Sequence, residues 1–336
     1  VSVVRGETRP EPALAIVATG ATNGLGFTSA HTWAFWRAEA NALQESPFRC
    51  LNGFRATMAL VRTYPPRLTG VERLTRLLAD TVAQVAAPLD ALGDGARVAV
   101  VLCLAAHLHD PAAPALGRVR ARLEAQVPGW AERHPGLSLT HVVARGNASL
   151  AEALQHAGEL LAGRRYDAAL VASVDSGHDP DVVQGMILSE RLFDGANVDS
   201  CIPGEGAACL LVTGMDLAAL GAVTAHAASL RRPVAWMLGD LTNERHRTRE
   251  YQLALPRAFA PGGLDDGGAS FVQRAADAVR IDFLPHRFGD LGAATMTTAA
   301  VIATEAFARG DPGANHCAIF GVSVVPARGA VLLVAP

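Results

Sequence analysis

The sequence predicts an α/β protein built as two similar halves, and three observations carry this. Apolar runs of strand length alternate with helical patterns over most of the 336 residues, the arrangement expected where helices cover mixed sheets. Half of the residues are hydrophobic, enough for a large core in one domain or in two closely packed halves. The strand-like runs fall into two sets with a break near residues 213–216. That break puts one half at 1–213 and the other at 214–336.

Taken in order, the first half offers strands at 13–18, 97–104, 139–143, 168–174 and 207–213. Each is a short apolar run rich in Val, Leu and Ala. The second half offers strands at 222–228, 234–238, 279–284, 317–324 and 329–334. Helices are expected at 70–87, 116–126, 149–162, 182–189 and 293–308. In the first of these, Val71, Leu74, Leu77, Leu78, Val82 and Val85 recur at helical spacing. Residues 261–270 (PGGLDDGGAS) read as an exposed loop.

The net charge of -3 gives no reason to expect a nucleic-acid partner. No apolar run reaches 18 residues, so no membrane span is expected. Residues 1–10 lack the charged-then-apolar plan of a secretion leader. Cys50, Cys103, Cys201, Cys209 and Cys317 are dispersed without CxxC spacing. Such a set reads as reduced thiols of a cytoplasmic protein, not as a disulfide framework or a zinc site. His107, His109 and Asp110 have strand spacing for a metal pair, but no third ligand accompanies them.

All 29 basic side chains counted as Lys or Arg are arginine. Chemistry that needs a lysine amine is therefore closed, including a Schiff base to pyridoxal phosphate and a P-loop. No cofactor or metal is expected. Thr19-Gly-Ala-Thr-Asn-Gly-Leu-Gly26 has the spacing of a dinucleotide-binding turn after a strand. Two partners of that reading are missing: the lysine of the short-chain dehydrogenases, and an acidic residue closing a second strand about 20 residues on.

The same eight residues resemble the opening strand and turn of β-ketoacyl synthases. Trp33–Glu39 then takes the place of the first helix, and Asp167–Ser176 resembles the strand and Asp-Ser end that follow the family nucleophile. Asp199-Ser-Cys-Ile-Pro-Gly-Glu-Gly206 is similar to the family's Asp-Gly-Phe-x-x-Gly-Glu-Gly run. A buried glutamate there can bind backbone amides or an arginine. Gly289-Asp-Leu-Gly-Ala-Ala-Thr295 resembles the Gly-His-x-x-Gly-Ala-Ala-Gly turn into a buried helix, and residues 319–334 resemble the closing hairpin. The resemblance covers most of the chain. It implies a thiolase-like five-layer αβαβα fold, two similar halves each carrying a mixed five-stranded sheet.

A ketoacyl synthase uses a cysteine at the N-terminus of a buried helix, where the helix end helps stabilise thiolate and oxyanion. Two histidines complete the site. Here the helix opens at residues 143–149 (VARGNAS), which hold no cysteine. The nucleophile's place falls within residues 143–147, with Ala144 and Asn147 the leading positions. Asn147 is expected to cap the helix, and Ser149 to serve its first turn. The resemblance puts Asp240, in Gly239-Asp-Leu-Thr-Asn-Glu244, where the first histidine would stand, with Glu250 behind it. It puts Asp290 where the second would stand. His286 fits outside the turn. Cys201 replaces the family phenylalanine beside the pocket and reads as a small hydrophobe. Arg245, Arg247 and Arg249 form a local basic cluster that pairs with Glu244 and Glu250 or meets an acidic partner.

The expected function is a ketoacyl-synthase-like protein that has lost condensing activity and serves as a scaffold or partner. The resemblance implies a homodimer through an edge strand of the first half. It also extends to cysteine-less chain-length partner subunits of polyketide systems, and to short bacterial synthase-like proteins of type VI secretion effector clusters. These make an acyl carrier protein, acyl-CoA or a secretion effector the partners to test. The alternative is an acyltransferase or hydrolase on acyl thioesters. It would use Asp240 and Asp290 as a carboxylate pair, with Ser149 as the nearby hydroxyl.

Overall fold

A computed structural model describes residues 14–93, 95–106, 117–118, 121–122, 136–214, 236–259, 279–311, 316–324 and 327–335. The expected strand 222–228, most of the expected helix 116–126, the loop 261–270 and the His107/His109/Asp110 group lie outside the described residues.

The first half contains β1 (Leu14–Asn23), α1 (Ser29–Arg37), β2 (Leu43–Arg49), β3 (Arg55–Ala59), α2 (Gly70–Val82), α3 (Ala86–Asp90), β4 (Val98–Cys103), β5 (Leu137–Val143), α4 (Ser149–Ala162), β6 (Ala168–Ser176), α5 (Pro180–Leu188) and β7 (Glu205–Gly214). The second contains β8 (Trp236–Gly239), α6 (Arg245–Phe259), β9 (Arg280–Phe283), α7 (Pro285–Phe288), α8 (Thr295–Ala308), β10 (His316–Val322) and β11 (Arg328–Val334).

Five strands form a mixed sheet in the order β1-β7-β6-β4-β5. β7 runs antiparallel to both β1 and β6, while β6, β4 and β5 are parallel. β6 and β7 are buried on both faces, so they read in sequence as continuous apolar runs, not as alternation. The second sheet has the order β11-β10-β8-β9, with β11 antiparallel and the rest parallel. It holds four strands among the described residues.

α2 lies on the outer face of the first sheet over an apolar cluster that includes Leu77, Leu78, Leu102, Leu170 and Leu211. α4 and α8 lie between the sheets, where Leu150, Val171, Leu210, Met296, Ile302 and Ile319 share one core. Tyr251 of α6 packs its ring on Phe283 and Phe320 of the second sheet. The layers are therefore helix, sheet, two helices, sheet, helix: the thiolase-like architecture. β1 is an edge strand paired antiparallel to β7, and Asn23 Oδ1 takes the turn amides of Leu25 and Gly26 at 3.0 Å. A dinucleotide-binding crevice needs a central parallel strand and free amides; this glycine turn has neither.

The two central helices are entered alike. Gly146 (φ +56) and Gly292 (φ +51) each open a three-residue 3-10 turn, Gly146–Ala148 and Gly292–Ala294, and a 14-residue helix follows each. A left-handed residue with no Cβ is required there. At Gly292 a Cβ would overlap the Asp175 carboxylate.

Glu205 binds both kinds of donor expected of it. Its carboxylate accepts from Arg73 Nε (2.5 Å) and Nη2 (2.6 Å), from Val61 N (2.6 Å) and from Ser176 Oγ (2.8 Å). Arg73 Nη1 donates to Leu68 O and Pro65 O. Both side chains are buried, so every charge-bearing atom is met and the pair anchors α2 to β7. All five cysteines are free and buried.

The expected helix 70–87 ends at Val82 and continues as a 3-10 turn and α3. The hairpin β2–β3 and the helix α6 were not legible. β2 (LQESPFR) is polar and broken by proline, and α6 opens with four charged or imidazole residues among its first five. The hairpin gains its stability by packing Phe48, Ala56 and Met58 against Val183 and Leu192.

Candidate functional site

The 3-10 turns ahead of α4 and α8 meet in the middle of the molecule, beside the C-terminal ends of β8 and β10. Gly289 (φ +64) turns the chain out of α7. Asp290 is then pinned through its backbone, its N–H donating to Ile202 O (2.7 Å) and its carbonyl accepting from Gly204 N (2.9 Å). The Asp290 side chain accepts from Asn147 Nδ2 (2.9 Å) and Gly292 N (3.0 Å) at Oδ1, and from Arg247 Nη2 (3.0 Å) at Oδ2. Burial works to raise its pKa. Arg247, the Asn147 amide and the Gly292 amide outweigh it and hold the carboxyl below the usual carboxylate range.

Asp240 follows β8 directly. Its Oδ2 accepts from Val322 N at the end of β10 (2.7 Å) and lies 3.4 Å from Arg247 Nη1. Its Oδ1 has no hydrogen-bond partner among the described residues. The residue is fully buried, and desolvation pushes its pKa up to about 7 against the pull of Arg247 and the Val322 amide.

Arg247 joins these groups. Its side chain is 0 % exposed. Besides Asp240 and Asp290, its Nε lies 3.3 Å from Glu244 Oε2, and Nη1 donates to Asp240 O (3.0 Å). Glu244 also accepts from Arg191 Nε (2.7 Å) and Thr242 Oγ1 (3.0 Å). Two guanidiniums thus face three carboxyl groups. Charge balances when Asp240 is neutral.

Of the two leading positions for the equivalent of the family nucleophile, Asn147 reaches Asp290; Ala144 packs beside the outer apolar cluster. Asn147 does not cap α4, contrary to expectation. α4 has no side-chain cap, because the Asn147 amide donates into the ionic cluster and to Thr295 Oγ1 (3.4 Å). Ser149 is fully buried and accepts from Arg145 N (3.1 Å), a bond that closes the turn. Cys201 is buried, and its sulfur lies within 4.8 Å of carboxylate oxygens of Glu244 and Asp290. Desolvation first, then Asp290 and Glu244, raise its pKa and keep it a thiol. The Cys201–Glu244–Asp290 trio has donors suited to a cation, but Arg191 and Arg247 already supply the positive charge. His286 is exposed, with its ring edge on Phe283.

The basic cluster meets its expected pairing in part: Arg247 pairs with Glu244, whereas Glu250 takes a different arginine. Arg247 points inward, Arg245 pairs with Asp199 (3.4 Å), and Glu250 pairs with Arg328. Arg247, Arg191 and Glu244 are the members that sequence reasoning did not place in the site. A helix at 245–259 puts residue 247 on the same face as Tyr251, but nothing in the sequence marks that face as the buried one.

The fold is the thiolase-like fold of ketosynthases. Among solved structures, a ketosynthase from module 6 of the bacillaene synthase of Bacillus subtilis 168 matches with a TM-score of 0.69 over 96% of this chain and 72% of that one, at 12% identity. A type II polyketide ketosynthase bound to the hexaketide, in complex with its acyl-carrier protein, matches with 0.69 over 97% and 100%, at 12% identity. The ketosynthase of Xenorhabdus doucetiae in complex with its chain length factor matches with 0.65 over 98% and 100%, at 14% identity. No family model matches the sequence, and comparison with curated proteins gives no match. No helix among the described residues is long and apolar enough to cross a membrane.

Proposed function

We propose that this chain is a cytoplasmic, ketosynthase-fold scaffold whose condensing site has been replaced by a buried ionic cluster. The observation that carries this reading is Arg247, wholly buried between Asp240, Glu244 and Asp290. It bridges Asp240 and Asp290, the two positions where the resemblance expects catalytic histidines. Asn147 stands at the helix entrance where a thiolate would be needed, and an amide cannot attack a thioester. Cys201 is too far up in pKa to replace it.

Such a protein acts through partners. Among the described residues β5 is an edge of the first sheet, with most of its residues partly exposed. The opposite edge, β1, is blunted by a register shift between Ile16 and Ala18. Pairing through β5, with a second copy or with another chain of this fold, is the proposed mode of assembly. An acyl carrier protein or a secretion effector is the proposed further partner. Sedimentation of the isolated chain should give a dimer.

Asp240 supports a second reading, in which a buried carboxyl with a pKa of about 7, and with no hydrogen-bond partner for Oδ1 among the described residues, acts as general acid or base in acyl-thioester hydrolysis or transfer. Incubation with malonyl and acyl thioesters separates the two. The scaffold reading expects neither carbon dioxide nor free thiol, and no effect of Asp290→Asn. Turnover lost in Asp290→Asn would establish the second reading, and condensation would overturn both.

A further inference from the structure

We propose that Asp290 is a built-in carboxylate ligand, seated in a three-donor cradle that will take a free carboxylate of formate or acetate size once the Asp290 side chain is removed. This rests on reading the pocket as closed from within.

The donors come from three separate segments: Arg247 Nη2 of α6, Asn147 Nδ2 of the turn before α4, and Gly292 N of the turn before α8. They address both oxygens of one planar group, two on Oδ1 and one on Oδ2, as a bound carboxylate is held. None depends on Asp290 for its own position. Arg247 is fixed by Asp240 O, Asp240 Oδ2 and Glu244 Oε2. Asn147 also donates to Thr295 Oγ1. The Gly292 turn is held through Ala293 N on Asp175 Oδ2 (2.9 Å). The cradle is therefore preorganised, and truncating Asp290 removes an occupant rather than a wall.

Access and charge point the same way. Asp240 and Arg247 have no exposed side-chain surface, whereas 12% of the Asp290 side chain reaches solvent. The carboxylate end of the cluster is the one a small solute can enter. Removing Asp290 takes one carboxylate from beside Arg191 and Arg247, leaving Glu244 and Asp240 as their acidic neighbours among the described residues. The emptied cradle is more positive than the filled one and favours an anion.

The test uses the full chain carrying Asp290→Ala. Its unfolding midpoint is measured with sodium formate, sodium acetate, formamide and sodium chloride at matched ionic strength, alongside wild type. The expected result is a saturable rise of several degrees with formate or acetate. Formamide and chloride should give none, and wild type should not respond. If the variant folds only when refolded in acetate, the proposal is equally supported. Equal response to chloride, response of wild type, or no response to any carboxylate would overturn it. A second arm follows the Asp290 carboxyl of wild type by carbon NMR titration; an ordinary or raised pKa also overturns the proposal. Failure here leaves the thioester test of the proposed function standing, because that test uses wild type and reads turnover.

Discussion

The molecule holds two buried arginine centres that differ in how completely they are satisfied. Arg73 meets one carboxylate, Glu205, through two bonds of 2.5–2.6 Å, and both partners have further backbone or hydroxyl contacts. Arg247 meets three carboxyl groups at 3.0–3.4 Å, and among the described residues Asp240 Oδ1 has no partner and Arg247 Nε no hydrogen bond. A one-to-one pair with every atom met locks elements together. A crowded cluster with an orphaned oxygen has charge to trade, which is the character of a site. The comparison separates a fastener of the fold from a cluster with the character of a site.

The largest effect should come from breaking the fastener. Glu205→Ala strands a guanidinium that cannot lose its proton, at a cost of about 3–5 kcal/mol. Chemical denaturation near pH 5 and at neutral pH should give much the same loss. Arg247→Met should cost about as much at neutral pH, because three carboxyl groups are left together, but clearly less near pH 5, where they can take up protons. Equal losses for Arg247→Met at both pH values would erase the distinction between the centres.

Gly292→Ala should cost about 1–3 kcal/mol for the left-handed backbone alone, and more from overlap with Asp175. The matching change Gly146→Ala presses only on Ser323 Oγ, a movable hydroxyl, and should cost less. Asp240→Asn should alter slope more than height. The native Asp240 pKa is raised from 3.8 to about 7, so the folded state keeps a proton that the unfolded chain has lost. Wild-type stability therefore falls as pH rises across that window, and the Asn variant should lose this fall by one proton. Asp290 acts in the opposite sense: its lowered pKa stabilises above the ordinary carboxylate range and is lost on acidification. The smallest effect is expected for His286→Ala, within about 0.5 kcal/mol, since the ring is exposed.

The fold was legible where burial is two-sided or periodic. The strands at 168–176 and 205–214 stand out because sheet centres tolerate only apolar runs, and the helix at 149–162 was bounded to the residue. The hairpin β2–β3 was not, because Pro47 and its charged neighbours owe their strand geometry to tertiary packing. In the site, Asp240, Asn147 and Asp290 were reachable through ordered motifs. Arg247 was not: an arginine among arginines carries no sign that one of them turns inward, and only the arrangement of α6 over β8 and β10 decides it.

The burial of all five thiols makes the surface silent to maleimide. A single cysteine placed at exposed Ser138 on β5 would carry a fluorophore or spin label with no background. Docking of any partner along that strand could then be watched directly, without first rebuilding the chain.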